Sequence, residues 1–216
     1  KTGSLILFVV DASGSMGAQR RMVAVKGAIL SLLLDAYQRR DRVGLISFRG
    51  TSAEVILPPT SSVDLAEQHL QEMPTGGRTP LSRGLYLALD VIETEKMKNR
   101  DVLPLIVLLS DGRANVAMGA AGEGRPKSLP MDEAKAVAAL VQQQHIPAAV
   151  VDTEVDFIRL SLAQPIAEAM GAHYLKLEDL QADSLADAVR LQLATPDSAP
   201  LTQKEIQSML DKLSLK

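Results

Sequence analysis

In the stretch FVVDASGSMG (Phe8–Gly17), Asp11, Ser13 and Ser15 set one carboxylate and two hydroxyls at alternate positions, directly after an apolar run. Three chemistries fit that spacing. Serine oxygens accept from the orphan N–H groups of a helix, so Ser13 or Ser15 could be an N-cap. SGSMG differs from the nucleophile elbow G-x-S-x-G by one residue, Ser13 in place of the first Gly. Ser15 could then be a nucleophile, with Asp111 or Asp152 and His173 completing a triad in the order Ser, acid, His. Hard oxygen donors could also share a divalent cation.

Two more oxygen donors stand at similar transitions. Thr79 precedes Pro80 ahead of a helical pattern, where it suits an N-cap. Asp111 precedes Gly112 after a second apolar run, where it suits an Asx-turn. Each residue alone has a structural reading. Taken together, Asp11, Ser13, Ser15, Thr79 and Asp111 are hard ligands with no His among them, a set that suits Mg²⁺ or Mn²⁺. Two carboxylates roughly neutralise such an ion, and the hydroxyls add dipoles without charge. Water positions remain, one of which can take an acid from outside. The hydrolase reading is weaker. Ser15 follows the first strand rather than a later central one, and Ser13 is bulkier than Gly in a sterically tight elbow. An aspartyl phosphohydrolase would want a second acid two residues after Asp11, where Ser13 stands.

The elements that must position these groups alternate. SLILFVV (Ser4–Val10) and VLPLIVLLS (Val102–Ser110) are continuous apolar runs, the pattern of strands buried on both faces. RVGLISF (Arg42–Phe48) and IPAAVVD (Ile146–Asp152) are further strands. AEVILP (Ala53–Pro58) reads as an edge strand ended by Pro58-Pro59. A short strand is expected around His173–Leu177. Between them, Met22, Val25, Ile29, Leu32, Leu33 and Ala36 recur at helical spacing, as do Leu81, Leu85, Ala88, Leu89 and Ile92. This order predicts a doubly wound α/β domain, mostly parallel, with helices on both faces and one antiparallel edge strand. In such sheets ligands gather beyond the carboxyl ends of the strands, where Asp11 and Asp111 both fall. Gly76 and Gly77 would let the backbone bring Thr79 near. Gly- and Pro-rich Val116–Pro130 reads as a loop, TPDSAP (195–200) as a linker, and Leu201–Leu213 as a closing amphipathic helix.

Composition removes other classes. With 216 residues, 46% hydrophobic and only 3% aromatic, the chain suits one sizeable domain with an aliphatic core. A net charge of −3 is far from the basic footprint of a nucleic-acid binder. The absence of Cys excludes thiolate metal sites, Cys nucleophiles and disulfides. No apolar run reaches the roughly 18 residues of a membrane span. There is no G-x-x-x-x-G-K-[ST] phosphate loop, and His69, His145 and His173 show no ligand spacing. A start at Lys1 suggests a fragment of a longer protein.

DASGS, GGRTP and SDGRAN together resemble the metal-ion-dependent adhesion site of von Willebrand factor A domains, also called integrin I-like domains. That pattern is D-x-S-x-S, a distant Thr, and a distant Asp after a buried strand. All five positions match, and the resemblance runs from about Ser4 to Leu193. It implies such a domain over 1–194, with 195–216 as linker and C-terminal helix. In that family the serines bind the metal directly, and the Thr and the two Asp bind directly or through water. A partner's Glu or Asp fills the remaining position. VVDASGSMG, RMVAVKGAILSLLLDAYQRRDRVGLISFRG, GGRTPLSRGL and LSDGRAN are further similar to the C-terminal domain of magnesium chelatase D subunits. There the domain follows an AAA+ module and an acidic, Pro-rich linker, in a complex that inserts Mg²⁺ into protoporphyrin IX during chlorophyll synthesis. The related cobaltochelatase subunit shares the pattern.

The resemblance implies a non-catalytic docking module holding Mg²⁺ or Mn²⁺. It would couple the AAA+ ATPase assembly of the I and D subunits to the porphyrin-binding H subunit through a partner's acidic residue. Arg78 and Arg113 flank the site and would face that acid. The expected location is a bacterial cytoplasm or a chloroplast stroma. Extracellular adhesion domains share the metal site; the missing Cys and missing signal weigh against that reading, and the closer sequence wording favours the chelatase.

Overall fold

The computed structural model describes residues 4–14, 18–119, 126–154 and 160–177. Ser15, the 195–200 linker and the helix expected at 201–213 lie outside the described residues. In chain order the elements are β1 (Ser4–Asp11), α1 (Ala18–Arg39), β2 (Arg42–Arg49), β3 (Ser52–Thr60), α2 (Val63–Glu72), α3 (Leu81–Lys98), β4 (Leu103–Ser110), α4 (Leu129–Gln143), β5 (Ala148–Asp152), α5 (Ala163–Met170) and β6 (His173–Lys176).

The strands form one six-stranded sheet in the order β3-β2-β1-β4-β5-β6. All neighbours are parallel except the β2–β3 hairpin. The apolar runs of β1, β4 and β5 are buried on both faces because helices cover both. Side chains of β1 alternate between two cores. Ile6, Phe8 and Val10 pack with Ile29, Leu32 and Leu70 from α1 and α2. Leu7 and Val9 pack with Leu85, Val141 and Ile166 from α3, α4 and α5.

Two local expectations are corrected. β3 does not stop at Pro58-Pro59 but continues to Thr60. It is an edge strand, so the missing proline N–H groups leave no further neighbour unpaired. Its ladder with β2 shifts register between Val43 and Ile46 instead. Thr79 does not cap α3. The helix starts at Leu81 with Pro80 at the cap position and no side-chain cap bond. Ser62, by contrast, caps α2 by accepting from the N–H of Leu65.

The far end of α3 is tied to the amino edge of the sheet. Buried Glu95 takes the Arg42 guanidinium at 2.6 Å and the Lys98 ammonium at 2.7 Å. Arg42 also donates to the Pro59 carbonyl at 3.0 Å. Strand order reverses between β1 and β4, each having its crossover on the opposite side. The crevice beyond their carboxyl ends is where such a sheet opens to ligands.

Candidate metal centre

Asp11 ends β1 at that crevice. Its Oδ1 accepts from the Ser13 N–H at 3.0 Å, a tight turn that aims Ser13 back over the strand end. Its Oδ2 accepts from the Ser110 hydroxyl at 2.8 Å. Ser110 is the fully buried last residue of β4, and its Oγ also accepts from the Gly112 N–H at 3.0 Å. One hydroxyl therefore locks the Asp11 carboxylate to the loop that carries Asp111. Gly112 has φ +76°, and a Cβ there would stand 2.1 Å from the Ala163 nitrogen of α5. Only Gly fits that close approach. Asp111 forms the expected Asx-turn, its Oδ1 accepting from the Arg113 N–H at 3.0 Å.

Thr79 reaches the crevice from a different segment. Gly76 donates to the Ala12 carbonyl at 2.7 Å, and Gly14 donates to the Gly77 carbonyl at 3.1 Å. These bonds lay the Gly76-Gly77 loop across the Asp11–Gly14 loop, both glycines having positive φ. The Thr79 hydroxyl consequently shares a 2.8 Å hydrogen bond with the Ser13 hydroxyl. Asn115 holds Thr79 from behind. Its Oδ1 accepts from the Thr79 N–H at 2.8 Å, and its own N–H donates to the Thr79 carbonyl at 3.1 Å.

Asp11, Ser13, Thr79 and Asp111 thus line a single cavity of about 150 Å³, with Asn115 and Thr153 beside them. Burial pushes the Asp11 carboxyl up to about 6, and the nearby Asp111 charge adds to that rise against the hydrogen bonds from Ser13 and Ser110. A carboxylate whose charge is disfavoured by burial, with a second acid and neutral hydroxyls beside it, forms a donor set that a hard divalent cation relieves. Among the described residues no group of three or more His, Cys, Asp or Glu is placed to hold a metal. The candidate centre rests on two carboxylates and hydroxyls.

The flanking arginines have intramolecular roles. Arg78 donates to the Asn115 carbonyl at 2.5 Å. Arg113 lies 3.5 Å from Asp111 Oδ2 with its side chain half exposed. The triad reading of the sequence finds no support in the register. His173 pairs with Ala149, three residues and roughly 10 Å before the strand end that carries Asp152. Asp152 accepts instead from the Tyr174 hydroxyl at 2.5 Å and from the Glu154 N–H at 2.9 Å. Burial and the adjacent Asp152 together raise the Tyr174 hydroxyl far above its ordinary value, so it stays a donor. The Glu154 carboxylate accepts from the N–H groups of Leu160 and Ser161.

Ser110 and Asn115 are site residues that pattern reading passes over. Both lie inside the string SDGRAN, but their role depends on which strand and loop they face.

The pattern of the von Willebrand factor type A domain matches residues 6–113. An uncharacterized protein of Mycobacterium tuberculosis, Rv2850c, is 46% identical over 88% of this chain and 29% of its own length. The magnesium-chelatase 67 kDa subunit of Chlorobaculum parvum is 38% identical over 87% of this chain and 31% of its own. The chain spans about a third or less of the length of these two relatives. The uncharacterized protein MJ0910 of Methanocaldococcus jannaschii is 40% identical over 80% of this chain and 95% of its own length. Together with the sheet order and the helices on both faces, these matches show that the chain belongs to the von Willebrand factor type A domain family.

Proposed function

We propose that the chain is a metal-dependent docking module, in which Asp11, Ser13, Ser15, Thr79 and Asp111 hold one Mg²⁺ or Mn²⁺ ion. When bound, the ion supplies a positive centre with a coordination position open to a carboxylate of a partner protein. The chain's own residues do the rest. Ser110 orients Asp11, Asn115 orients Thr79, and the glycine loops bring the two segments together. The observation that carries this reading is the 2.8 Å contact between the hydroxyls of Ser13 and Thr79, 66 positions apart, beside two acids on one cavity.

The similarity to magnesium-chelatase subunits supports a finer assignment. The module would dock within a magnesium chelatase, joining the AAA+ I/D assembly to the H subunit, with ATP hydrolysis and metal insertion performed elsewhere in the complex. The test is capture of the I and H subunits by the chain in Mg²⁺ and in EDTA, comparing wild type with Asp11→Ala. Capture is expected in Mg²⁺ only, and only by wild type, with unchanged circular dichroism of the variant. Equal capture under all conditions would overturn the reading.

A further inference from the structure

Among the described residues, one hydroxyl on the lining of the candidate ion cavity has no protein partner. Thr153, just past the end of β5, lines that cavity and is only 4% exposed. No hydrogen bond to its side chain is present among the described residues. The neighbouring polar groups are committed. The Ser13 and Thr79 hydroxyls bond each other, Asn115 Oδ1 accepts from the Thr79 N–H, and Arg113 is paired with Asp111. A buried hydroxyl that the protein does not bond is matched by something in the space it faces.

The strands aim it into the cavity. Ser110 pairs with Asp152, and the Thr153 N–H donates to the Ser110 carbonyl at 3.2 Å. One residue beyond that pair, Asp111 and Thr153 leave β4 and β5 side by side. Side chains alternate along a strand. Val151 packs on the α1 face with Met22 and Val25, and Asp152 turns the other way to the Tyr174 hydroxyl. Thr153 returns to the α1 face, where Met22 and Val25 form the apolar wall of the same cavity. The Ser13–Thr79 pair belongs to the β1 side, and β4 separates β1 from β5. Two strand spacings are roughly 10 Å, far enough that a water, and not a direct bond, joins Thr153 to an ion held by those hydroxyls.

We infer that Thr153 is a positioning residue of this site, whose hydroxyl accepts from a water bound to the ion on the side away from Ser13 and Thr79. This rests on the metal-docking reading above and adds an outer partner to its donor set. Mg²⁺ sheds its waters reluctantly and keeps several of them in protein sites. Such waters are polarised donors and need acceptors. Asp111 is one, although its Oδ1 already accepts from the Arg113 N–H. The Thr153 hydroxyl has both lone pairs open, and its own O–H can donate to a carboxylate arriving from a partner. Groups in that position orient what the metal holds and tighten its binding without touching the ion.

The test titrates the 216-residue chain with Mn²⁺, reading the free ion by electron paramagnetic resonance, and follows melting in EDTA. Thr153→Val keeps the branched shape and removes the oxygen. It should weaken Mn²⁺ binding roughly 10-fold. Its melting temperature in EDTA should stay within about 2 °C of wild type, or rise, because the lost hydroxyl bonds no protein group. Thr153→Ser keeps the hydroxyl and should bind Mn²⁺ within about threefold of wild type. Competition by Mg²⁺ should give the same ranking. Thr153→Val binding as tightly as wild type overturns the inference and leaves the metal reading standing. So does a Thr153→Val chain that melts well below wild type in EDTA, which marks a packing role. A loss beyond about 100-fold makes Thr153 a direct ligand and overturns the water bridge. Failure of the wild-type chain to bind Mn²⁺ overturns both readings.

Discussion

Asp11 works against the metal-free fold. Its carboxylate is buried beside Asp111 and is pushed up to about 6 from an ordinary 3.8, so in the metal-free protein ionisation is disfavoured by something on the order of 1–3 kcal/mol. A raised acid costs nothing below about pH 4, costs progressively more through pH 6, and costs its full amount above. Asn is nearly the same shape, can still accept from the Ser13 N–H, and can donate to the one lone pair that Ser110 Oγ has left beside its bond from Gly112. Asp11→Asn should therefore leave the melting temperature in EDTA at pH 7.5 equal to or above that of wild type. It should also abolish the Mg²⁺-dependent rise. Calorimetry with and without Mg²⁺ separates the two effects. A purely structural Asp11 would show the reverse, a large loss in EDTA and no ion dependence to remove.

At the scale of elements, α3 is pinned at both ends, by Thr79 and Asn115 at the site and by Glu95 at the opposite edge of the sheet. Burial raises the Glu95 carboxyl, but the hydrogen bonds from Lys98 and Arg42 outweigh it and hold the group below its usual 4.5. A depressed acid contributes its full stability above the unfolded value and loses it as pH falls through the folded one. Glu95→Gln should thus cost about 1–2 kcal/mol at pH 7, modest because Arg42 is partly and Lys98 largely exposed, and much less near pH 3. Urea midpoints at the two pH values check this, and an equal cost at both would refute it. Much of this level is legible in the sequence. The unbroken apolar runs of β1, β4 and β5 mark strands covered on both faces, and their alternation with helical stripes leaves few topologies. What escapes is whatever depends on the neighbour. β3 runs through Pro58-Pro59 because nothing lies beyond the edge, and α3 starts after Pro80 because the Thr79 hydroxyl is held by Ser13. Similarly, the spacing of DASGS, Thr79 and Asp111 exposes the outline of the site. Ser110 and Asn115 acquire meaning only from the strand and loop they face.

Across the whole molecule, the candidate centre joins three segments that are remote in the chain: the end of β1, the Gly76–Thr79 loop, and the loop after β4. Unfolding separates all of them, so an ion that needs all three binds the folded state alone. Its effect on stability then follows from mass action and not from any single contact. At a concentration about 100 times the dissociation constant, the folded state should gain roughly 2.7 kcal/mol. For a chain of this size that corresponds to a rise of about 5–10 °C in melting temperature, growing with the logarithm of free Mg²⁺. The same logarithmic slope should appear in the urea midpoint, with the denaturant dependence unchanged because the surface exposed on unfolding is the same. Thr79→Val keeps the size of the side chain and removes its oxygen, so it should flatten the slope without lowering the melting temperature in EDTA by more than about 1–2 kcal/mol equivalent. A Mg²⁺ response that is linear and weak, and identical in wild type, Asp11→Asn and Thr79→Val, would instead be general ionic screening of surface charge. The three loops would then form a crevice without an ion.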